Sequence, residues 1–235
     1  MPTTQSTRIQ TSILNAAEKK FLVWMAERMP KWITSDFMSF IGFLGAIIVS
    51  VGYVLSNKDI NWLWLCSFGF VVNWFGDSLD GTIARVRKKQ RPIYGYYLDH
   101  TLDVINEIFI FCGAGLSAMM HNYPIALMVF LVYLMLTLNV SINAHLRGEF
   151  KLTYFKMGPT ELRIILIVVN TLFIYLRPLR EFSRETVIFG QPLSLGALDV
   201  VALVILVLLL VVYIVTVLQD LAYYRKVDPM PKDKR

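Results

Sequence analysis

The stretch of sequence that decides the fold reads DSLDGTIAR at residues 77–85 and GYYLDHTLD at residues 95–103. A charged side chain in the middle of a bilayer costs about 2.5–3.5 kcal/mol, so four uncompensated carboxylates would cost roughly 10 kcal/mol. The stretch carries four aspartates within or at the ends of segments that otherwise have the composition of membrane spans. It therefore predicts a bound, positively charged partner for Asp77, Asp80, Asp99 and Asp103.

The spacing of these aspartates indicates what the partner is. Asp77 and Asp80 are three residues apart, and Asp99 and Asp103 are four apart, so each pair shares one face of a helix. If the two faces meet, four carboxylates without Cys or His form an all-oxygen site, which suits Mg²⁺ or Mn²⁺. Two divalent cations would neutralise four carboxylates, and two-metal sites serve displacement reactions at phosphorus. The pattern predicts two such ions and phosphoryl chemistry.

The composition places the chain among helical membrane proteins. Of its 235 residues, 56% are hydrophobic and only 17% are charged, against roughly 25% charged in soluble domains. We therefore predict an all-α polytopic membrane protein with six transmembrane helices. The residues before the first span lack an uninterrupted apolar run, so we expect no cleavable signal peptide. The predicted spans are 37–56, 62–84, 96–120, 124–146, 160–177 and 197–222.

The basic residues predict how the chain is oriented. With the N-terminus in the cytoplasm, the inside segments hold 19 of the 23 Lys and Arg residues and the outside loops hold four. By the positive-inside rule, this asymmetry places both termini and the four aspartates on the cytoplasmic side of an integral membrane protein. Because topology alone explains the net charge of +6, we expect no nucleic-acid partner.

An apolar stripe precedes the first span and predicts a helix. Its members, spaced by three or four residues, are Ile9, Ile13, Ala17, Phe21 and Trp24. An amphipathic helix of this kind lies in the cytoplasmic interface of the bilayer. The alternative is that it packs on the cytoplasmic face of the protein itself, and the two arrangements are compatible.

We expect the whole chain, residues 1–235, to form one membrane domain. Residues 1–31 contain the amphipathic cytoplasmic helix, and residues 32–224 form the six-helix bundle. Residues 225–235 form a charged cytoplasmic tail.

Small residues and one arginine accompany the aspartates. Gly81 and Ala84 remove side-chain bulk one turn apart, so a ligand or a neighbouring helix can approach the backbone. Gly95 does the same at the start of the third span. Arg85 follows with a guanidinium group that can bind phosphate oxygens through two parallel hydrogen bonds.

Residues 77–103 resemble the signature of the CDP-alcohol phosphotransferases. Every fixed position of that signature is matched, although nine residues separate Arg85 from Gly95 where the family usually has eight. Residues 30–39 are also similar to the segment that leads into the family's first span. The family includes phosphatidyltransferases that use CDP-diacylglycerol and the choline and ethanolamine phosphotransferases. The resemblance implies an enzyme of membrane phospholipid synthesis that releases CMP.

The resemblance also implies roles for individual residues. Asp77, Asp80 and Asp99 would hold the metals, and Asp103 would contribute to them or lie close by. Asp103 would also act as the general base that takes the proton of the acceptor hydroxyl. The family's nucleotide-contacting positions are matched by Gly81, Ala84 and Arg85. The family further implies a homodimer that binds a CDP-linked donor and an alcohol acceptor within the lipid bilayer.

The residues that bind the acceptor alcohol are less well indicated. If the acceptor is anionic, cations near the cytoplasmic helix ends must meet its charge. Arg163 would lie within the fifth span, where an unpaired guanidinium is costly. It either pairs with Glu161 or with one of the four aspartates, or it binds an anionic acceptor such as a phosphorylated polyol. The full set of candidates is Arg147, Lys156, Arg163 and Arg225.

The leading functional hypothesis is phosphatidyl transfer from CDP-diacylglycerol to a small polar alcohol, a reaction that suits a short six-span chain. The close alternative is transfer from CDP-ethanolamine or CDP-choline to diacylglycerol. Two further alternatives are an intramembrane prenyltransferase and a divalent-cation transporter. The motif Asp-Gly-x-x-Ala-Arg at residues 80–85 argues against the prenyltransferase. A transporter would need carboxylates near mid-membrane with access from both sides.

Overall fold

The computed structural model describes residues 7–9, 15–147, 149–151, 159–188 and 191–230. Short strands flank some of the helices, and one 3₁₀ turn, Ile60–Trp62, precedes α3. In chain order the elements are β1 (Thr7–Ile9), α1 (Asn15–Arg28), α2 (Ser35–Leu55), α3 (Leu63–Val86), α4 (Pro92–Gly115), α5 (Tyr123–Arg147), β2 (Glu149–Lys151), α6 (Pro159–Tyr175), α7 (Arg177–Glu181), β3 (Ser183–Ile188), β4 (Gln191–Gly196) and α8 (Ala197–Val227).

Six long helices, α2 to α6 and α8, overlap the six predicted spans. The largest difference is at α4, which begins at Pro92 and ends at Gly115 instead of covering 96–120. Proline suits the first turn of a helix because its missing N–H would have no partner there. Within the part of the chain that the structure describes, three helices are long and apolar enough to cross a membrane: Ser35–Leu55, Tyr123–Leu146 and Ala197–Val227. The helical membrane class therefore agrees with the structure, whereas the count of six spans stays a prediction.

Two small sheets modify the all-α expectation. β1 pairs with β2 in parallel, and β3 pairs with β4 as an antiparallel hairpin between α7 and α8. The hairpin lies in the connection between the predicted fifth and sixth spans, for which we had predicted no strands. The backbone N–H and C=O groups of one strand pair with those of the other. In a long irregular connection these groups would bond to water instead.

Glycines bring α2 and α3 into backbone contact. A Cβ atom on Gly76 would overlap the backbone of Gly42, and one on Gly69 would lie 2.7 Å from the backbone nitrogen of Val49. A Cβ atom on Gly52 would lie 2.7 Å from Cys66 Sγ. Small residues permit this close approach, which favours helix association in membranes. The contact fixes the position of the first aspartate pair, which follows Gly76 on α3.

The N-terminal helix α1 packs on the protein. Leu22 and Ala26 are buried in a cluster with Ile83 of α3, whereas Phe21 and Trp24 stay 48% and 50% exposed and stack on each other. Packing on the protein's own face, one of the two predicted arrangements, is therefore present. Contact of the exposed Phe21 and Trp24 side chains with the bilayer interface stays a prediction. The prediction that the helix begins at Ile9 is wrong, because Ile9 ends strand β1 and α1 begins at Asn15. Ile13 and the side chain of Ala17 lie outside the described residues.

One carboxylate links α1 to two other helices. Glu18 accepts hydrogen bonds from Trp74 Nε1 of α3 at 2.6 Å and from Thr160 Oγ1 of α6 at 2.8 Å. The beginning of α6 is thereby held near α3, the helix that carries the first aspartate pair.

Polar contacts attach α8 to α5. Asp220 accepts hydrogen bonds from Asn139 Nδ2 at 2.9 Å and from Asn143 Nδ2 at 2.7 Å. Tyr224 donates to Asn143 Oδ1 at 2.8 Å. Near the other end of α8, the fully buried Asp199 accepts from two backbone N–H groups of the connection between α4 and α5. Asn139 and Asn143 therefore serve helix packing.

Candidate active site

The aspartates converge where the end of α3 meets the beginning of α4. Carboxylate oxygens of Asp77, Asp99 and Asp103 all lie within 4.8 Å of one another. Asp80 lines the same pocket, which is bounded by α2, α3 and α4. The two helix faces meet as their spacing predicts. The residues that line the pocket are Ser39, Gly42, Asp77, Asp80, Asp99, Leu102, Asp103 and Asn106.

Helix α2 orients Asp80. Ser39 Oγ donates to Asp80 Oδ2 at 2.6 Å, and Ser35 Oγ donates to the backbone oxygen of Asp80 at 2.9 Å. The second carboxylate oxygen accepts from the N–H of Gly81. Asp80 is therefore held by hydrogen bonds at the edge of the group that the other three aspartates form, and its role as a metal ligand stays a prediction.

Arg163 of α6 reaches the pocket and pairs with Asp77. Its Nη2 lies 2.7 Å from Asp77 Oδ2, and its Nε donates to Asn73 Oδ1 at 2.9 Å. Asn73 in turn donates to the backbone oxygen of Gly42 at 2.9 Å. The side chains of Arg163 and Asp77 are 16% and 27% exposed, so the pair is largely shielded from water. Of the predicted roles for Arg163, pairing with an aspartate is the one present, and binding of an acceptor stays a prediction.

The donor set fits divalent cations. Three carboxylates within 4.8 Å of one another repel strongly in a medium less polar than water, and Arg163 brings one positive charge to the group. Their ligand atoms are all oxygens, as Mg²⁺ and Mn²⁺ prefer. Asp77, Asp99 and Asp103 could therefore hold a metal ion, with Asp80 beside them.

Two cations of the connection between α3 and α4 are engaged by the protein. Arg87 donates to four backbone oxygens between residues 29 and 33. Arg91 binds both carboxylate oxygens of Asp36, at 2.5 and 2.6 Å, and this hydrogen bonding raises the pKa of Arg91. Arg87 thus ties the connection to the segment between α1 and α2, and Arg91 ties it to the first turn of α2, whereas Lys88 and Lys89 are exposed.

The predicted nucleotide-binding residues Gly81, Ala84 and Arg85 lie on the last turns of α3, after Asp80. Arg85 is exposed, and its Nη2 donates to Thr82 Oγ1 at 2.9 Å. A Cβ atom on Gly81 would lie 3.2 Å from Arg85 Nη1, so Gly81 makes room for the guanidinium group. A Cβ atom on Gly95 would meet nothing within 4 Å. Ala84 is half-buried on the same helix.

We expect Gly81→Ala to weaken donor binding without unfolding the protein. The added methyl group displaces the Arg85 guanidinium, which is the end of a flexible side chain. The KM for a CDP-linked donor should rise about fivefold to tenfold, as for the loss of one hydrogen bond. The measurement is CMP release against donor concentration, with the thermal unfolding temperature as a check of the fold. An unchanged donor KM would contradict the role of Arg85.

The other predicted acceptor-binding cations are not placed at the pocket. Lys156 and the side chain of Arg147 lie outside the described residues. Arg225 is exposed on α8, a helix that packs mainly on α5. Among the described residues, Arg163 is the candidate that contacts an aspartate of the pocket.

Three polar residues of the site were not predicted: Ser39, Asn73 and Asn106. Asn73 precedes Asp77 by four residues and Asn106 follows Asp103 by three, so helical spacing puts each on the face of its aspartate. Both asparagines could therefore have been predicted from their helical spacing to the aspartates. Ser39 lies on α2, and no pattern along the chain predicts that it contacts Asp80.

Comparison with known proteins agrees with this geometry. The family model of the CDP-alcohol phosphatidyltransferases matches residues 32–224. Cholinephosphotransferase 1 from Homo sapiens is 24% identical over 119 residues, which cover 48% of this chain and 29% of the relative. A phosphatidylinositol phosphate synthase from Cutibacterium acnes is 33% identical over 84 residues, 36% of this chain and 38% of the relative.

A third relative is the archaetidylinositol phosphate synthase of Methanothermobacter thermautotrophicus. It is 31% identical over 108 residues, which cover 45% of this chain and 51% of the relative. The matches thus span between about a third and a half of these curated relatives. The family match, in contrast, includes all four aspartates and the helices that carry them. The chain belongs to the CDP-alcohol phosphatidyltransferase family, whose members are transferases of phospholipid synthesis.

Proposed function

We propose that the protein transfers a phosphatidyl group from CDP-diacylglycerol to the hydroxyl of a small polar alcohol and releases CMP. The observation that carries this proposal is the convergence of Asp77, Asp99 and Asp103 in one pocket beside Asp80. The proposal includes dependence on Mg²⁺ or Mn²⁺, with two ions in each site, six membrane spans and the homodimer that the family implies.

The proposed reaction is a displacement at phosphorus. The acceptor oxygen forms a bond to the phosphorus remote from cytidine while the bond from that phosphorus to the phosphate oxygen of CMP breaks. Asp103 takes the hydroxyl proton. Arg85, in the last turn of α3, binds phosphate oxygens of the nucleotide. Metal ions held by the aspartates would stabilise the negative charge that develops on the departing phosphate.

The close alternative uses the same site with the lipid as acceptor. CDP-choline or CDP-ethanolamine would donate, and diacylglycerol would supply the hydroxyl. The match to a cholinephosphotransferase supports this alternative, whereas the two matches to inositol phosphate lipid synthases support the leading proposal. No described residue favours the prenyltransferase or the transporter.

The deciding experiment is a donor and acceptor panel with the purified protein. Labelled CDP-diacylglycerol and then CDP-ethanolamine are incubated with polar alcohols and with diacylglycerol, and CMP release is measured with and without Mg²⁺. We expect CMP from CDP-diacylglycerol in the presence of a polar alcohol. Release only from CDP-ethanolamine with diacylglycerol would establish the alternative, and absence of CMP with every pair would overturn the proposal.

We propose that the pocket opens to the cytoplasm, where the released CMP is soluble. Cysteines placed at residues 57 and 183, in a background without Cys66 and Cys112, should react with an impermeant reagent added outside intact cells. A cysteine at residue 88 should react only after the membrane is permeabilised. Labelling of residue 88 from outside would invert the topology and place the aspartates on the wrong face.

We expect Arg163→Ala to distinguish anionic from uncharged acceptors. A hydrogen bond to a charged group is worth about 1.5–3 kcal/mol, so loss of a direct contact should raise the KM of an anionic acceptor at least about tenfold. The donor KM should change far less. Both constants are measured for Arg163→Ala and for Arg163→Lys, which keeps the charge. Equal effects on donor and acceptor would assign Arg163 to helix packing or diphosphate binding.

A further inference from the structure

Glu18 of α1 bridges the two helices that carry Asp77 and Arg163. Its Oε1 atom accepts one hydrogen bond from Trp74 Nε1 of α3 at 2.6 Å and another from Thr160 Oγ1 of α6 at 2.8 Å. Both donors are neutral, and a hydrogen bond to a carboxylate is stronger than one between two neutral groups. A single oxygen atom of α1 therefore connects α3 to the first turn of α6.

Both hydrogen-bond donors lie close to the ion pair of the active site. On α6, Thr160 precedes Arg163 by three residues, so the two share a helix face. On α3, Trp74 precedes Asp77 by the same spacing. Arg163 Nη2 lies 2.7 Å from Asp77 Oδ2. The ion pair and the Glu18 bridge thus join α3 and α6 within one turn of each other.

The attachment of α1 to α3 does not depend on Glu18. Leu22 and Ala26 follow Glu18 at intervals of four residues on the same face of α1. Both are buried in one apolar cluster with Leu79 and Ile83 of α3. Loss of the Glu18 carboxylate should therefore leave α1 in place and release the first turn of α6.

A small movement of α6 is enough to break the ion pair. A shift of about 1 Å would carry the distance between Arg163 Nη2 and Asp77 Oδ2 beyond the range of a good hydrogen bond. Asp77 would then face Asp99 and Asp103, which lie within 4.8 Å of it, without the positive charge that partly balances the group. The place of α6 beside α3 therefore sets the net charge of the pocket.

We infer that Glu18 is a positioning residue of the active site, which acts through Thr160 and Trp74 to hold Arg163 against Asp77. Neither hydrogen-bond partner of Glu18 lines the aspartate pocket, so its effect passes through the position of α6. The inference goes beyond the proposed function, because the ion pair is present whichever donor and acceptor the protein uses.

Mg²⁺ binding measured without substrates tests the inference. The unfolding temperature of the purified protein is followed against Mg²⁺ concentration, because a ligand that binds the folded state raises that temperature. When Arg163 is withdrawn, the carboxylates attract a cation more strongly. Thr160→Val and Glu18→Ala should therefore lower the half-saturating Mg²⁺ concentration about threefold to tenfold, the equivalent of one hydrogen bond. Unchanged curves for both variants would overturn the inference.

Double variants separate positioning from a general effect on the fold. In an Arg163→Ala background, Thr160→Val should cause no further change of the half-saturating Mg²⁺ concentration, because its effect passes through Arg163. A change of the same size in both backgrounds would show that Thr160 only stabilises the fold, and the inference would fail.

Two further variants isolate the carboxylate. Glu18→Gln keeps an oxygen that accepts from both donors, so its Mg²⁺ curve should lie closer to that of the unmodified protein than the curve of Glu18→Ala does. Glu27→Ala is the matched control, because Glu27 is exposed on the same helix, and its curve should be normal. A shift by Glu27→Ala as large as that by Glu18→Ala would contradict the inference.

These outcomes separate the inference from the proposed function, because Mg²⁺ binding is measured without donor or acceptor. Normal phosphatidyl transfer with unchanged Mg²⁺ curves for Thr160→Val and Glu18→Ala removes the role of Glu18 and keeps the reaction. Shifted curves in a protein that releases no CMP from any donor keep the role of Glu18 and remove the reaction.

Discussion

Replacing Asp99 with asparagine should lower CMP release at least about 100-fold. Loss of a residue that merely supports a metal ligand already costs 10–100-fold, and Asp99 itself faces Asp77 and Asp103 within 4.8 Å. Asn keeps the shape of the side chain and removes the charge that attracts a divalent cation. Asp77→Asn and Asp80→Asn should act in the same way. Asp103→Asn should chiefly lower turnover, with donor binding better preserved.

The dependence on Mg²⁺ provides the second measurement. Asp99→Asn should need a higher Mg²⁺ concentration for half-maximal activity, and a chelator should abolish the activity of the unmodified protein. Asp36→Asn is the control, because its carboxylate lies outside the pocket and pairs with Arg91. Near-normal CMP release by both Asp80→Asn and Asp99→Asn would refute the metal site.

Gly76→Val should have the largest effect on folding. A Cβ atom at this position overlaps the backbone of Gly42, so α2 and α3 would have to separate along their whole contact. Overpacking of a core typically costs about 1–3 kcal/mol, and a clash with backbone cannot be relieved by a side-chain rotation. We expect at least the upper end of that range and little folded protein in detergent.

The thermal unfolding temperature of the purified protein measures this effect. Gly95→Ala is the matched control, because an added Cβ atom there meets nothing within 4 Å and should leave the unfolding temperature unchanged. A Gly76→Val protein that unfolds at the normal temperature would show that α2 and α3 are not in backbone contact.

The positions of the helices and of the aspartates could be predicted because both depend on local periodicity. Apolar runs of about 20 residues form helices in a bilayer, where each backbone group must find its partner within the segment. On such helices, spacings of three and four residues put Asp77 beside Asp80 and Asp99 beside Asp103. The ends of the helices were less predictable. Helix α4 begins at Pro92 because proline suits the first turn of a helix, and hydropathy does not detect that preference.

The pairing of Arg163 with Asp77 was left open by the sequence. The two residues are 86 positions apart, and their contact depends on how far α6 is rotated towards α3. That rotation is set by packing and by polar contacts such as the one between Thr160 and Glu18. A sequence shows that a charge in a span needs a partner, but not which of several partners is within reach.

The sequence by itself determined the helical membrane class, the aspartate pairs and the family, because each depends on residues close together in the chain. Tertiary structure alone decided that Ser39 orients Asp80, that Arg163 binds Asp77, and that the buried amide oxygen of Asn106 meets no hydrogen-bond partner among the described residues. These contacts join different helices or depend on the space between them. They are set by the close approach of glycine-bearing backbones and the rotation of each helix, which no local pattern records.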